Sequence, residues 1–455
     1  MTLDVVILAA GQGTRMRSTR PKVLHQLAGK PMVRHVIDTA RRLAAERTHV
    51  VVGHGAEQVR EALADCPVHF ALQAEQKGTG HAVAQALDAL GEGRVLVLYG
   101  DVPLIRHETL VELLAHVDEH HLGLLTVLLE DPAGYGRILR NAAGEAVAIV
   151  EHKDASETER AVRECNTGIM AMTAAQLRRW LPRLSADNAQ GEYYLTDIIA
   201  MAAAEGVKVA TVQPARPLEV EGVNNRAQMA HLERAYQHDI AERLMEQGVA
   251  LADPSRLDVR GRLTCGHDVE IDVGCVFEGE VALGEGVRIG PHCVIRNSHV
   301  GAESVIESHS VLDGAVVAGL NRIGPFARLR PGSRLAVGAR IGNFVETKNV
   351  EVGEGSKINH LSYVGDARLG HDVNVGAGTI TCNYDGVNKH HTEIGDEAFI
   401  GSNTALVAPV SIGQSATVGA GSTISKDVAD NALAISRACQ ISKADWPRPA
   451  KRQKS

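Results

Sequence analysis

The chain has 455 residues, of which 44% are hydrophobic and 22% charged, and its net charge is −8. That length suits two or three domains, and the acidic balance argues against a nucleic-acid partner. No apolar run is long enough to cross a bilayer, there is no signal-peptide pattern, and the seven cysteines are scattered without a C-x-x-C pair. We therefore expect a cytoplasmic protein with reduced thiols and no membrane partner.

In the first half of the chain, short apolar runs alternate with helical stretches. The pattern predicts strands at 5–8, 49–52, 95–98, 123–128 and 146–150, and a helix at 32–46. Strands that alternate with helices predict a mostly parallel, doubly wound sheet, in which ligands bind beyond the carboxyl ends of the strands.

A glycine-rich turn follows the first strand. Gly11 and Gly13 would let backbone N–H groups approach phosphate oxygens, whose charge Arg15 and Lys22 would neutralise. A tight turn with solvated basic residues is the alternative interpretation. The turn is not the dinucleotide-binding fingerprint, because Met16 occupies the place of its third glycine.

Asp101 ends another predicted strand. A carboxylate after an apolar strand and a glycine is a candidate Mg²⁺ ligand, since Mg²⁺ is held by one or two carboxylates together with substrate phosphates. The alternative is that Asp101 caps the N-terminus of a helix.

A single long helix is expected between the two halves. Apolar residues recur there every three to four positions at Met229, Leu232, Tyr236, Ile240 and Leu244. We expect a first domain at 1–226, a connecting helix at 227–250 and a second domain at 251–455.

In the second half, an apolar residue, aliphatic at every position except Phe277, recurs every six positions and is often followed by glycine. The positions are Ile271, Phe277, Leu283, Ile289, Ile295, Ile323, Leu329, Leu335, Ile341, Ile394, Ile400, Leu406, Ile412, Val418 and Ile424. A step of six fits neither a helix nor a half-buried strand, and predicts a parallel β-helix of hexapeptide repeats. The glycines suit corners that need positive φ or a close backbone approach. The repeat has one large break, at 382–391.

Polar residues on these coils leave three interpretations open. Arg330 and Lys348 could hold a sugar phosphate, and His360 could act as a base, which favours an enzyme over a purely structural trimerisation platform. A lyase with histidine-bound metal is less favoured, because His360 and His371 lack hexad spacing.

Longer motifs carry a resemblance to a known family. They are LAAGQGTRM at 8–16 with PK at 21–22, QAEQKGTGHA at 73–82, YGDVPL at 99–104, GYGRI at 134–138, VE at 150–151, NTG at 166–168 and EGVNN at 221–225. The first half resembles the sugar-nucleotide pyrophosphorylases. With the hexads behind it, nearly the whole chain resembles the bacterial bifunctional N-acetylglucosamine-1-phosphate uridylyltransferases/glucosamine-1-phosphate N-acetyltransferases.

The resemblance implies an α/β fold with an N-terminal Rossmann-like nucleotidyltransferase domain and a C-terminal left-handed parallel β-helix. It implies that the first domain transfers UMP from UTP to N-acetylglucosamine-1-phosphate with Mg²⁺ held by Asp101 and Asn224. The other implied nucleotide- and sugar-binding residues are Leu8, Ala9, Ala10, Gly11, Arg15, Lys22, Gln73, Gly78, Thr79, Tyr99, Gly100, Gly136, Glu151 and Asn166.

The resemblance also implies a homotrimer that acetylates glucosamine-1-phosphate with acetyl-CoA, on the way to UDP-N-acetylglucosamine for the cell wall. His360 would be the general base, oriented by Glu346, and the break at 382–391 would reach toward acetyl-CoA. Glucosamine-1-phosphate would contact Arg330, Lys348, Tyr363 and Asn374, and acetyl-CoA would contact Ala377, Asn383, Tyr384, Ser402, Ala420 and Arg437. The basic tail from Trp446 to Ser455 is expected to be solvated.

Overall fold

A computed structural model describes residues 2–448, so the end of the basic tail lies outside the described residues. The chain divides into two compact units, Met1–Gln237 and His238–Ser455. The boundary falls within the predicted connecting helix, which the structure has at Arg226–Glu246. The three-part division of the chain stays a prediction.

The first unit alternates strands and helices. Its strands are β1 Leu3–Ala9, β2 Gln26–Leu27, β3 Lys30–Pro31, β4 Arg47–Val52, β5 His69–Leu72, β6 Arg94–Tyr99, β7 His121–Leu128, β8 Arg137–Arg140, β9 Ala146–Val150, β10 Glu164–Thr173 and β11 Lys208–Val212. Its helices are α1 Met32–Arg42, α2 Ala56–Ala62, α3 Thr79–Ala84, α4 His107–Ala115, α5 Glu157–Arg160, α6 Ala174–Trp180 and α7 Asp197–Ala204, with α8 Arg226–Glu246 at the boundary.

The main sheet has the order β11-β7-β10-β6-β1-β4-β5, with β8 and β9 attached to β10. β1 is parallel to both β4 and β6, whereas β10 is antiparallel to its neighbours β6 and β7. All seven residues of β1 are buried because helices cover both faces of the sheet, which is why the strand is apolar apart from Asp4. The predicted alternation of strands and helices is confirmed, and the predicted parallel pairing holds for β6-β1-β4-β5 and for β11-β7, whereas β8, β9 and β10 pair antiparallel.

Helix α8 places its apolar stripe as the sequence predicts. In the first unit, Met229 and Leu232 pack with Met16 and Met32 in a small separate core. In the second unit, Leu244 joins the core of the solenoid.

The second unit is built from short strands. They are β12 Ala250–Leu251, β13 Leu257–Cys265, β14 Glu270–Ile271, β15 Cys275–Leu283, β16 Arg288–Ile289, β17 Val294–Arg296, β18 His299–Val300, β19 Val305–Ile306, β20 Val311–Asp313, β21 Val316–Val317, β22 Arg322–Ile323, β23 Arg328–Leu329, β24 Ser333–Leu335, β25 Arg340–Asn343, β26 Glu346–Val352, β27 Lys357–His360, β28 Tyr363–Leu369, β29 Asn374–Val375, β30 Ile380–Cys382, β31 Thr392–Ile394, β32 Phe399–Ile400, β33 Ala405–Val407, β34 Val410–Ile412, β35 Thr417–Val418, β36 Thr423–Ile424 and β37 Leu433–Ala434.

These strands stack in parallel as the coils of a β-helix. One column of rungs runs from Ile306 through Ile323, Ile341 and Ile358, and each of these isoleucines is fully buried. Every aliphatic residue of the predicted hexads is buried in the same way. Full burial of one such side chain stabilises the fold by about 2–3 kcal/mol, so the column holds the coils together. The predicted parallel β-helix is confirmed.

The glycines that follow the hexad residues allow the backbones of neighbouring coils to lie in direct contact. A Cβ at Gly342 would lie 1.9 Å from the carbonyl oxygen of Asn359 on the next coil, and one at Gly353 would lie 2.1 Å from that of Gly370. The positive-φ corners are separate positions, several of them held by residues with side chains, such as Phe326, Phe344 and Leu361.

The break in the repeat is an insertion between coils. Residues in contact on neighbouring coils are commonly 17 positions apart, as for Asn349 and Asp366, whereas His371 and Asp396 are 25 apart. The additional residues form a loop in which Tyr384 makes an antiparallel bridge with Lys389.

All seven cysteines are free thiols. Cys275 and Cys293 are core residues of the solenoid, and burial raises their pKa to about 11 and about 12. Within residues 2–448, no helix combines the length and the apolar character needed to cross a membrane.

Candidate active sites

A cavity of about 230 Å³ lies at the carboxyl ends of β1 and β6. Its lining includes ten of the predicted residues: Leu8, Ala9, Ala10, Gly11, Lys22, Gln73, Gly78, Thr79, Tyr99 and Asp101. Four more residues complete it: Val23, Gln76, Ala82 and Glu192. The structure therefore brings together residues that come from distant parts of the sequence.

Cationic groups and side-chain oxygen atoms meet at Lys22 and Asp101, which line this cavity, and extend to Arg15 and Asn224 outside its lining. The Lys22 ammonium forms an ion pair with the Asp101 carboxylate and lies 3.3 Å from the amide oxygen of Asn224. Arg15 donates to the same amide oxygen at 2.9 Å. The N–H of Val223 donates to the carbonyl oxygen of Asp101 at 3.0 Å, which fixes the EGVNN segment beside the end of β6. Asp101 does not cap a helix, since α4 begins only at His107.

A second wall of the cavity is formed around Gln73. Its side chain is 3% exposed, and its amide donates to the carbonyl oxygen of Gly78 at 3.1 Å. Gly78 has a φ of 100°, and a Cβ there would lie 2.6 Å from the carbonyl oxygen of Tyr193. The hydroxyl of Thr79 accepts the N–H of Leu195 at 3.1 Å. These contacts hold an amide and backbone polar groups against the cavity.

The predicted sugar residues Gly136, Glu151 and Asn166 form a neighbouring cluster outside the cavity lining. The N–H of Asn166 donates to the carbonyl oxygen of Gly136 at 2.9 Å, and a Cβ at Gly136 would lie 3.3 Å from the Glu151 carboxylate. Burial raises the pKa of Glu151, although a hydrogen bond from Thr196 opposes this. The predicted residue Gly100 is buried behind the cavity, close to Val23.

Tyr99 connects this cluster with the cavity that it lines. A Cβ at Gly168 would meet its ring at 2.5 Å, and the N–H of Gly168 donates to the side-chain oxygen of Asn166 at 2.9 Å. Burial of Tyr99 raises the pKa of its phenol.

Four lining residues had no predicted role, and two of them, Gln76 and Glu192, are polar. Gln76 belongs to the QAEQKGTGHA motif and could have been found there. Glu192 lies in an irregular segment with no recognisable motif, and it reaches the cavity because Tyr193 is bound to Lys77 by a backbone hydrogen bond of 2.8 Å.

The second unit has a cationic cluster where Lys348 lies near Lys389 and Arg330. The hydrogen-bonding contact with Lys389 and the charge of that lysine lower the pKa of Lys348, and burial and the Arg330 charge add smaller effects in the same direction. Arg330 donates to Glu346 at 2.9 Å, and Lys389 lies 4.0 Å from Asp366. Lys389 had no predicted role, because it belongs to the insertion, where the repeat gives no register.

Tyr363 and Asn383 lie beside this cluster. The amide of Asn383 is 3.4 Å from the Tyr363 hydroxyl and also donates to Asp366. The structure thus brings Tyr363 and Asn383 together, at the base of the inserted loop. Tyr384, further along that loop, is 60% exposed and donates to the carbonyl oxygen of Gly386 at 2.5 Å.

His360 is exposed at the end of β27, and its Nδ1 lies 2.8 Å from the side-chain oxygen of Asn343. The sequence suggested Glu346 as its orienting partner. The structure differs, because Glu346 is bound by Arg330 and lies 3.6 Å from Arg328. Asn374 lies on β29, next to β27 and on a different sheet from Tyr363.

Four predicted acetyl-CoA residues follow one line along the solenoid. Val375, Ile400 and Val418 are in register on successive coils, and the next corner of each coil holds Ala377, Ser402 and Ala420, respectively. Arg437 extends this line, because it donates to the carbonyl oxygen of Ala420 at 2.5 Å.

Comparisons with known proteins cover both units. Residues 5–189 match the MobA-like NTP transferase domain, and residues 391–426 match the bacterial transferase hexapeptide (six repeats). Bifunctional protein GlmU of Chromohalobacter salexigens is 72% identical over 451 residues, which cover 99% of this chain and 100% of that protein. The chain belongs to the GlmU family.

Other GlmU proteins give the same result. Bifunctional protein GlmU of Marinobacter nauticus is 60% identical and that of Pseudomonas entomophila 58% identical, each covering at least 99% of both chains. The expectation of a bifunctional enzyme with uridylyltransferase and acetyltransferase activities is confirmed, and a β-helix that serves only as a platform is not favoured. Within residues 2–448, no group of three His, Cys, Asp or Glu side chains is placed to hold a metal ion.

Proposed function

We propose that the first unit transfers UMP from UTP to N-acetylglucosamine-1-phosphate at the cavity beyond β1. The observation that carries this proposal is the convergence of Lys22 and Asp101, which line that cavity, with the amide oxygen of Asn224. Backbone at Leu8–Gly11 and the side chains of Arg15 and Lys22 bind the phosphates of UTP. Gln73, Gly78 and Thr79 contact the uracil ring, whose donors and acceptors match an amide and backbone groups.

The residues that converge there fit Mg²⁺. Asp101 supplies a carboxylate and Asn224 an amide oxygen, and hard oxygen donors are those that Mg²⁺ prefers. Lys22 contacts both oxygens, so a single cation position reaches both. When bound with UTP, the metal would neutralise charge on the phosphates.

The chemistry of this unit is displacement at phosphorus. An oxygen of the sugar phosphate attacks the α-phosphorus of UTP, the bond to the β-phosphate oxygen breaks, and pyrophosphate leaves. Gly136, Glu151 and Asn166 hold the acetylated sugar in line with that bond. Positioning and charge neutralisation carry most of the acceleration, because the attacking phosphate needs no base.

In the second unit, acetyl transfer to glucosamine-1-phosphate is proposed at the cationic cluster and His360. The sugar phosphate is bound by Arg330, Lys348, Tyr363 and Asn374. The lowered pKa of Lys348 reflects neighbouring positive charge, which a bound phosphate would neutralise. His360 accepts a proton from the sugar amine. Acetyl-CoA lies along the line of Ala377, Ser402, Ala420 and Arg437, and the loop with Asn383 and Tyr384 covers its thioester.

A homotrimer is part of the proposal. A column of side chains runs along one corner of the β-helix: the rings of His309, Phe326 and Phe344 stack at 4.9 and 5.3 Å, and Leu361 follows. Phe326, Phe344 and Leu361 are 47%, 56% and 62% exposed, although they are large and apolar. Phe344 adjoins Asn343, and Leu361 adjoins His360, so copies that cover this column would meet at the acetyl-transfer site.

Reciprocal loss of activity tests the two assignments. In full-length protein, Asp101→Ala should reduce uridylyl transfer by at least about 1,000-fold and leave acetyl transfer intact, because it removes the carboxylate that would hold the metal against the reacting phosphates. His360→Ala should do the reverse. Both rates are measured on each variant, as pyrophosphate release and as thiol release. Near-normal uridylyl transfer with Mg²⁺ by Asp101→Ala would contradict the metal assignment, and equal loss of both activities would indicate misfolding.

The product, UDP-N-acetylglucosamine, would supply cell-wall synthesis. Because acetylation yields the substrate of uridylyl transfer, acetyl transfer comes first. The substrates of both reactions are small molecules, and the protein acts in the cytoplasm.

A further inference from the structure

His360 and Asn343 occupy equivalent positions on neighbouring coils. Asn343 ends β25 and His360 ends β27, and the register places one opposite the other. The next residues, Phe344 and Leu361, have φ angles of 55° and 49°, so each polar side chain leaves its coil immediately before a corner. This stacking puts His360 Nδ1 2.8 Å from Asn343 Oδ1.

The backbone on both sides holds this pair in place. The N–H of Leu361 donates to the carbonyl oxygen of Asn343 at 3.1 Å. A Cβ at Gly342 would lie 1.9 Å from the carbonyl oxygen of Asn359, so the two coils touch directly before the pair. The contact between the side chains therefore follows from the stacking of the coils.

We propose that Asn343 is a positioning residue that sets the tautomer of His360 during acetyl transfer, an inference that rests on the proposed role of His360 as the base. An amide oxygen only accepts hydrogen bonds, so Nδ1 must carry the hydrogen. A neutral imidazole then has its lone pair at Nε2, which points away from Asn343. Nε2 is the atom that takes the proton.

Acetyl transfer can proceed with neutral His360 protonated at Nδ1. The sugar amine bonds to the carbonyl carbon of acetyl-CoA, the C–S bond breaks, and the thiolate leaves. The proton lost by the nitrogen passes to Nε2, and His360 can return it to the thiolate. Asn343 Oδ1 accepts from Nδ1–H before and after this transfer, so it stabilises the imidazolium without rearrangement.

A neutral partner also suits the surrounding charges. Arg340 on β25 and Lys357 on β27 are the charged residues of the two paired strands, and β29 on the other side of β27 has none. Glu346 is held by Arg330. A carboxylate at position 343 would favour imidazolium and leave the base protonated at higher pH, whereas asparagine keeps it available.

Substitutions at 343 in the full-length enzyme test this role through the pH dependence of acetyl transfer. Asn343→Ala should lower kcat by about 10- to 100-fold, the range found when a metal-binding histidine loses the hydrogen-bond partner that orients its ring. Asn343→Asp keeps an acceptor oxygen, so kcat should approach the wild-type value at high pH. Its acid limb should move upward by about one pH unit, because a carboxylate stabilises imidazolium. Uridylyl transfer should stay unchanged in both variants.

His360→Ala and the double variant His360→Ala/Asn343→Ala separate this inference from the proposed function. If Asn343 acts through His360, the double variant loses no more activity than His360→Ala. A further loss in the double variant, wild-type kcat in Asn343→Ala, or an unmoved acid limb in Asn343→Asp would overturn the inference. Retained acetyl transfer in His360→Ala would instead remove the proposed base. If Asn343→Ala fails to fold, the isosteric Asn343→Asp decides.

Discussion

At the scale of single residues, Glu151 should make uridylyl transfer sensitive to acid. Burial raises the pKa of its carboxyl, so the sugar site is protonated at a higher pH than an exposed glutamate would be. If the carboxylate accepts a sugar hydroxyl, KM for N-acetylglucosamine-1-phosphate should increase as pH falls through that pKa. Glu151→Gln should raise KM about tenfold, since it removes a charged acceptor, and should abolish this acid limb. KM measured from pH 5 to 8 on both proteins checks this. An acid limb that persists in Glu151→Gln would assign it to another group.

The same burial has a consequence for stability. The folded-state pKa of Glu151 lies above the unfolded value, so the group stabilises the fold most below its unfolded pKa and this contribution is lost as pH rises through the folded pKa. The neutral variant Glu151→Gln should therefore be at least as stable as the wild type at pH 7, which distinguishes a change in binding from a loss of folding.

Two glycines with the same φ angle distinguish the cost of a left-handed backbone from the cost of a steric clash with a neighbouring side chain. Gly168 and Gly144 both have a φ of 82°, but a Cβ at Gly168 would meet the Tyr99 ring at 2.5 Å, whereas a Cβ at Gly144 has nothing within 4 Å. Both alanine substitutions should cost about 1 kcal/mol from the left-handed backbone, and Gly168→Ala about 1–3 kcal/mol more from overpacking. Only Gly168→Ala should impair uridylyl transfer, because it displaces a residue that lines the cavity. Thermal unfolding and pyrophosphate release measure both effects, and equal behaviour of the two variants would exclude the collision.

At the scale of elements, the inserted loop depends on Asp385. Its carboxylate lies 2.7 Å from His390 Nε2 and accepts the N–H groups of Val387 and Asn388 at 2.8 and 2.7 Å. The hydrogen bond from His390, first, and those of the backbone hold the pKa of Asp385 well below its usual range, so this carboxylate keeps its charge to a lower pH than an ordinary aspartate does. Asp385→Ala should increase KM for acetyl-CoA several-fold and leave uridylyl transfer unchanged.

Glu393 provides the matched control for this loop. Its carboxylate pairs with His391 at 3.0 Å, just beyond the insertion. Glu393→Ala removes a comparable exposed carboxylate–histidine contact and should leave KM for acetyl-CoA unaltered, since such a pair contributes little by itself. An equal effect of the two substitutions would show that the loop does not depend on the Asp385 turn.

The strands and coils also show which parts of the structure can be predicted from the sequence. Periodicity predicted both the sheet and the β-helix because each hexad position faces a continuous core, as the burial of Ile323 and Ile341 illustrates. Motifs predicted most of the lining of the first cavity. The positions of Asn343 beside His360, of Lys389 beside Lys348 and of Glu192 in the cavity lining could not be predicted. They depend, respectively, on stacking between coils, on an insertion without register and on an irregular segment. Stacking between coils also explains why Asn343, and not the expected Glu346, contacts His360. Glu346 is instead bound by Arg330.

At the scale of the whole molecule, the exposed column of Phe326, Phe344 and Leu361 should determine assembly and, through it, only one of the two activities. Phe344→Glu places a charge among stacked aromatic rings, and a buried unpaired charge at an interface costs several kcal/mol. We expect this variant to be monomeric in analytical ultracentrifugation and to lose acetyl transfer, because Asn343 and His360 lie beside the column. Uridylyl transfer should persist, since the first cavity is lined entirely by residues of the first unit.

A substitution at another corner of the same solenoid controls for the added charge. Leu320 is 63% exposed and has a φ of 54°, close to the 55° of Phe344, but it lies beside Gly338 and Val337 instead of the aromatic rings. Leu320→Glu should therefore leave both the trimer and acetyl transfer intact. Dissociation by Leu320→Glu, or a Phe344→Glu protein that remains trimeric, would move the interface to a different face of the β-helix. A monomeric Phe344→Glu protein with full acetyl transfer would show that each chain completes the site alone.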